Sequence, residues 1–97
     1  MDILTIPEAF QSKLRLAIIS ALISGKKTFN ELKAITSSTD GNLSVQLTKL
    51  ESCEYIAIEK SFQNKKPLTT VSITPKGKAE FKDYVELLQR IVNTTTD

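Results

Sequence analysis

A chain of 97 residues, 40% hydrophobic and 25% charged, has ordinary globular composition and room for one modest core, so a single compact domain over 1–97 is expected, with no fibrous or disordered body. One cysteine and no histidine exclude an internal disulfide framework and a typical zinc site, so neither a metal nor a cofactor is expected. No run approaches the roughly 20 apolar residues of a membrane span, and the acidic start at Met1-Asp2 lacks a secretion-signal pattern, so the expectation is a cytoplasmic protein that does not engage a membrane.

From Pro7 to about Ser24, Phe10, Leu14, Ala17, Ile18, Ala21 and Leu22 recur at three- and four-residue steps, which predicts a first helix with a core-facing stripe. Leu16, Ile19 and Ile23 form a second apolar line, more than a one-sided surface helix needs, and mark a face for a partner subunit. Gly25 is placed to end the helix. Thr28 and Glu31 have capping-box spacing and open a short helix whose Phe29, Leu32 and Ile35 face the core. The polar run Thr36-Ser37-Ser38-Thr39 breaks that helix and caps the next.

The third helix is predicted from about Asp40 to Cys53, with Leu43, Leu47 and Leu50 on one face. Gly41, Asn42, Ser44, Val45, Thr48 and Lys49 project from the opposite face, with Gln46 on its flank, so this surface is small and polar. Cys53, three residues after Leu50, reads as a small core residue. After Tyr55 the period falls to two. Ile56 and Ile58, leading to Phe62, predict one β-strand, and Val71 and Ile73 predict another. Gln63-Asn64-Lys65-Lys66-Pro67 between them reads as a long, mobile hairpin loop, and the whole unit spans about 55–74. Tyr55 and Phe62 are expected to fill the core, although either ring could stack on a base or ligand.

Thr74 caps a last helix over about 75–92, with Pro75 at its first position. Ala79 and Phe81 enter its apolar face. Tyr84, Leu88, Ile91 and Val92 continue it beyond what docking needs, with Val85 alongside, so a second copy of the chain is expected to cover Leu16, Ile19, Ile23, Tyr84, Leu88, Ile91 and Val92 as a homodimer. A polar fraying tail is expected from Asn93 to Asp97.

The order helix, helix, helix, two-stranded hairpin, helix is a mainly α fold with a small β-hairpin (α+β): a winged helix-turn-helix, in which a three-helix core carries a two-stranded wing and a C-terminal helix. The stretch from Thr39 to Glu51 resembles the recognition helix of small stand-alone winged-helix regulators related to the MarR and ArsR types. The stretch from Lys66 to Gly77 resembles their second wing strand and the start of their last helix, and the resemblance runs from Phe10 to Leu88. It implies a duplex-DNA-binding regulator, a repressor more readily than an activator. Glu54 departs from the pattern, since the family usually carries glycine there in a left-handed turn; either the turn is strained or its geometry differs.

Reading base edges needs donors and acceptors, which Asn42, Ser44, Gln46 and Lys49 supply, while Val45 suits a thymine methyl. Lys60, Lys65, Lys66, Lys76 and Lys78 occur in a stretch without any acid, so Lys60, Asn64, Lys65 and Lys66 are candidate contacts to phosphates or the minor groove. Ser38 and Thr39 at a helix N-terminus add candidate phosphate contacts. A solubilising loop over a sheet edge is the plainer reading of those lysines. No paired nucleophile and base and no glycine-rich phosphate loop occurs, so no catalytic residue is expected. The alternative is a winged-helix protein-interaction module, because this fold also serves as a docking scaffold. No residue set identifies a small-molecule effector.

Overall fold

The computed structural model describes residues 1–94. Two 3₁₀ turns, Ile3–Thr5 and Glu8–Phe10, precede α1 (Lys13–Ile23), β1 (Lys27–Thr28), α2 (Phe29–Thr36), α3 (Asp40–Ser52), β2 (Ile56–Gln63), β3 (Lys66–Ile73) and α4 (Pro75–Asn93). This is the expected winged-helix arrangement, with one addition. The sheet has three antiparallel strands in the order β1-β3-β2, because Lys27 and Thr28 pair with Val71 and Thr70.

The first helix starts later than its periodicity predicts. Ser12 is extended, and its hydroxyl accepts a bond from the Arg15 N–H at 3.2 Å, so α1 begins at Lys13. Phe10 keeps helical spacing to Leu14 yet lies in a 3₁₀ turn, buried against Tyr55, Phe81 and Tyr84 at ring-centre distances of 5.5, 6.0 and 5.1 Å. Burial raises the Tyr55 phenol pKa, with smaller contributions from Glu80 and Cys53, so this ring stays neutral.

The caps are where the sequence places them. Gly25 takes φ 137° just past α1. Thr28 and Glu31 form the capping box: the Thr28 N–H donates to the Glu31 carboxylate at 2.8 Å, and the Glu31 N–H donates to the Thr28 hydroxyl at 3.1 Å. The first of these bonds holds the Glu31 pKa below the ordinary carboxylate range. Leu43, Leu47 and Leu50 enter the core beside Ile18, Leu22, Leu32 and Val71, each contributing roughly 1.5–3 kcal/mol by burial.

Glu54 is left-handed at φ 63°. Its N–H donates to the Glu51 carbonyl at 2.9 Å, and the Tyr55 N–H donates to the Leu50 carbonyl at 3.1 Å. This is a Schellman stop, normally built on glycine, so the family turn is present and glutamate occupies it. The same turn receives α4. The Thr74 hydroxyl donates to the Glu54 carbonyl at 2.7 Å, the Thr74 N–H donates to the Tyr55 carbonyl at 3.0 Å, and the Gly77 N–H caps on the Thr74 hydroxyl at 3.0 Å. A Cβ at Gly77 would lie 2.3 Å from the Tyr55 carbonyl oxygen, so this contact requires glycine.

Several expectations fail on packing. Ile35 is 53% exposed, because α2 meets the core through Leu32 with Phe29 packed beside it, which leaves Ile35 on its outer side. Ala79 is exposed, and α4 instead inserts Leu87, which the periodicity left out. Cys53 is exposed rather than part of the core, since it caps α3 where the chain turns outward. Phe62 is 78% exposed, because β2 runs past the edge of the core before its end. The hairpin is tight, not long. Only Asn64 and Lys65 connect the strands, both left-handed at φ 54° and 65° as a type I′ turn requires, and Gln63 pairs with Lys66. Of the tail expected from Asn93 to Asp97, Asn93 is the last residue of α4 and Thr94 its cap. Residues 95–97 lie outside the described part.

Candidate nucleic-acid interface

Helix α3 presents Asn42, Ser44, Val45, Thr48 and Lys49 to solvent, opposite its leucine seam. The Thr39 hydroxyl oxygen accepts from the Asn42 N–H at 3.2 Å, which leaves its proton to donate to a phosphate. Ser38 is half-buried and shares its hydroxyl with Thr36 at 2.8 Å, so of the two it is the less available to a ligand. Gln46 is half-buried too. Its Oε1 accepts from Arg15 Nη1 at 2.7 Å, and its Nε2 donates to Asn42 Oδ1 at 3.2 Å, so it engages its own chain before any base.

The strand register decides which wing residues face α3. Ile56, Ile58, Lys60 and Phe62 share one face of β2 and pair with Ile73, Val71, Thr69 and Pro67. Lys60 and Thr69 line a groove of about 230 Å³ whose other wall includes Ser44 and Thr48 of α3. The recognition helix and the wing are therefore two sides of one concave surface. Asn64 and Lys65 form the tip, while Lys66, paired with Gln63, belongs to the opposite face of the hairpin from Lys60. All four are exposed.

Not every lysine in the acid-free stretch belongs to this surface. Lys76 lies at the start of α4, 3.7 Å from the Glu54 carboxylate and 5.7 Å from the Tyr55 ring centre. Thr69 and Arg15 are the residues sequence reading missed. The signal for Thr69 is its pairing with Lys60, which follows only once the two-residue turn fixes the register. Arg15 gives no local signal, because its partner Gln46 is 31 residues away.

The expected partner-facing residues do not form one surface. Ile19 is 0% exposed, buried in its own chain's core, which removes it from any interface. Leu16 and Tyr84 are half-buried against that core, and Ile23 is exposed at the sheet end of α1. Leu88, Ile91 and Val92 are exposed on the last turns of α4. Nearby, Arg90 Nη2 donates to the Met1 carbonyl at 3.3 Å, bringing the exposed Ile3 and Leu4 segment to the same end of the molecule. Among the described residues no cluster of metal-ligating side chains occurs, and no helix is long and apolar enough to cross a membrane.

Comparison with known proteins agrees with this geometry. An uncharacterized protein of Methanocaldococcus jannaschii is 41% identical over 83 residues, covering 82% of this chain and 89% of its own. A transcriptional regulator homologue from Pyrococcus horikoshii superposes with a TM-score of 0.83 at 24% identity, covering 92% of this chain and 89% of the other. A putative MarR-family regulator from Enterococcus faecalis gives a TM-score of 0.78 at 22% identity, with 89% and 78% covered. At those identities the structures speak to the fold, and the family is shown by the sequence itself. Residues 14–92 match the winged helix DNA-binding domain, so the chain belongs to that family.

Proposed function

We propose that the protein is a sequence-specific repressor that binds duplex DNA as a homodimer, with α3 in the major groove and the wing on the adjacent backbone or minor groove. The observation that carries this reading is the shared groove: Ser44 and Thr48 of α3 face Lys60 and Thr69 of the wing, so base-reading groups and a phosphate-seeking lysine address one ligand together. Asn42, Ser44, Val45 and Lys49 are the proposed base contacts, with Gln46 behind them. Thr39, Lys60, Asn64, Lys65 and Lys66 are the proposed backbone or minor-groove contacts, with Ser38 a lesser one.

For the dimer, the support is the exposed apolar end of α4 at Leu88, Ile91 and Val92. The molecule measures 60 × 25 × 21 Å, and its radius of gyration of 15.0 Å exceeds the roughly 12.5 Å expected of a compact chain this long. Elements that project from the body suit a twofold assembly. Two recognition helices would then meet half-sites about 34–36 Å apart or a multiple of that.

The test is fluorescence anisotropy on a labelled random duplex across a salt series, for wild type and a Lys65→Ala, Lys66→Ala double variant. Wild type is expected to bind with affinity that falls as salt rises, and the variant to bind more weakly with a salt slope shallower by about 2. Absence of binding by wild type at low salt would remove the DNA reading and turn attention to protein partners. Sedimentation equilibrium tests the dimer: wild type is expected to be dimeric at micromolar concentration and Leu88→Asp, Ile91→Asp monomeric. A monomeric wild type removes the dimer.

A further inference from the structure

We infer that Arg15, buried behind the recognition helix, acts through Gln46 to make Asn42 a hydrogen-bond donor toward DNA, and so sets which bases that position accepts. The inference rests on the proposed entry of α3 into the major groove. Arg15 is only 8% exposed, and no carboxylate lies within ion-pairing distance of it among the described residues. Three neutral oxygens satisfy its guanidinium. Nε donates to the Ala9 carbonyl at 3.3 Å, Nη2 to the Glu8 carbonyl at 2.9 Å and Nη1 to Gln46 Oε1 at 2.7 Å. The two carbonyls belong to the turn Glu8–Phe10, so the guanidinium plane is fixed by backbone rather than by a mobile side chain.

A guanidinium has donors and no acceptor. The Gln46 amide must therefore turn its oxygen to Arg15, since the flipped amide would set N–H against N–H at 2.7 Å and leave a buried cationic donor unpaired. With the oxygen committed, Nε2 faces the other way and donates to Asn42 Oδ1 at 3.2 Å. That bond in turn fixes the Asn42 amide. Its oxygen is held toward Gln46 in the following turn of the helix, and its Nδ2 remains to donate outward from the exposed third residue of α3. Guanine N7 and O6, adenine N7 and thymine O4 accept such a bond in the major groove, whereas cytosine offers only the donor N4. The relay thus predicts discrimination against cytosine at the base facing Asn42. It also explains why Gln46, placed on the flank of a reading face, is not itself turned outward.

Selection from a randomised duplex library, with thermal melting of each variant, tests the relay. Gln46→Glu keeps an acceptor for Arg15 but has no proton to give Asn42, which can then turn its Nδ2 inward and its oxygen toward DNA. Wild type is expected to select a consensus that disfavours cytosine at one position in each half-site. In Gln46→Glu that single preference should relax by roughly tenfold or reverse, with the other positions and the melting temperature retained. Asn42→Asp, which accepts from Gln46 and cannot donate to a base, should lose the same preference. If Gln46→Glu instead lowers affinity uniformly and keeps every preference, its added charge merely repels DNA and the relay is overturned. If wild type selects no sequence at all, sequence-specific reading fails, and the relay fails with it.

Discussion

Glu54 offers a direct measure of strain at the joint between the recognition helix and the wing. A left-handed residue with a Cβ costs about 1–2 kcal/mol, and Glu54 holds φ 63° because the Schellman bonds at 2.9 and 3.1 Å and the Thr74 contact at 2.7 Å all depend on it. Glu54→Gly removes that cost but gives the unfolded chain more freedom, a loss of about 0.4–1 kcal/mol. It also removes the 3.7 Å contact with Lys76, between exposed side chains and so worth a few tenths of a kcal/mol at most. The central values leave the folded state favoured by about 0.5 kcal/mol, which for a domain of this size raises Tm by roughly 2–4 °C. Glu54→Ala is the control, since it loses the ion pair and keeps the strain, and it should melt within about 2 °C of wild type. Calorimetry of the three proteins decides the matter. If Glu54→Gly melts no higher than Glu54→Ala, the turn stores no strain and the reasoning is wrong.

Gly77→Ala should destabilise the fold by about 3 kcal/mol or more, because its Cβ would lie 2.3 Å from the Tyr55 carbonyl oxygen; urea unfolding measures it, and a loss below about 1 kcal/mol would mean that α4 can shift. Leu32→Ala should cost about 2–5 kcal/mol while Ile35→Ala on the same helix is nearly neutral, the reverse of what an Ile35 facing the core would show. Glu31 titrates below the ordinary carboxylate range when folded, so its contribution is complete above the unfolded pKa and is lost as pH falls through the folded one. Wild type should accordingly be more stable than Glu31→Gln at neutral pH, with the gap closing below about pH 4; a gap independent of pH would show that the carboxylate charge is not what the cap uses.

What sequence reading captured was local. The Leu43, Leu47 and Leu50 seam, the Thr28 and Glu31 box and the Thr74-Pro75 start each depend on residues within one or two turns of one another, and each stands where expected. The outer face of α3 followed from the same periodicity. What was misjudged depends on distant partners. Ile19 sits on the second apolar line of α1 and nevertheless lies in the core, because the sheet and the other helices enclose more of that helix than one stripe. The wing looked like a long loop because Lys65 fills a left-handed position where a two-residue turn usually has glycine. Two-residue β1 has no period to detect and exists only because β3 is there to pair with it.

The joint at Glu54 also bears on how the two proposed activities of the chain, reading DNA and dimerising, connect. Helix α4 does not merely follow the wing. Thr74 ties its N-terminus to the carbonyls of Glu54 and Tyr55, Gly77 lets its backbone press onto that turn, and the Phe10, Tyr55, Phe81 and Tyr84 rings fill the angle behind it. Any tilt of α4 relative to α3 would break two backbone-anchored bonds and open an aromatic contact. The exposed end of α4 carrying Leu88, Ile91 and Val92 is therefore held at a set angle to the recognition helix. In a dimer built on that end, the spacing between the two recognition helices would be fixed by this joint rather than by the flexibility of a linker. Operators whose half-sites were moved by a single base pair should then lose affinity sharply, and equal binding across such a series would show that α4 swings.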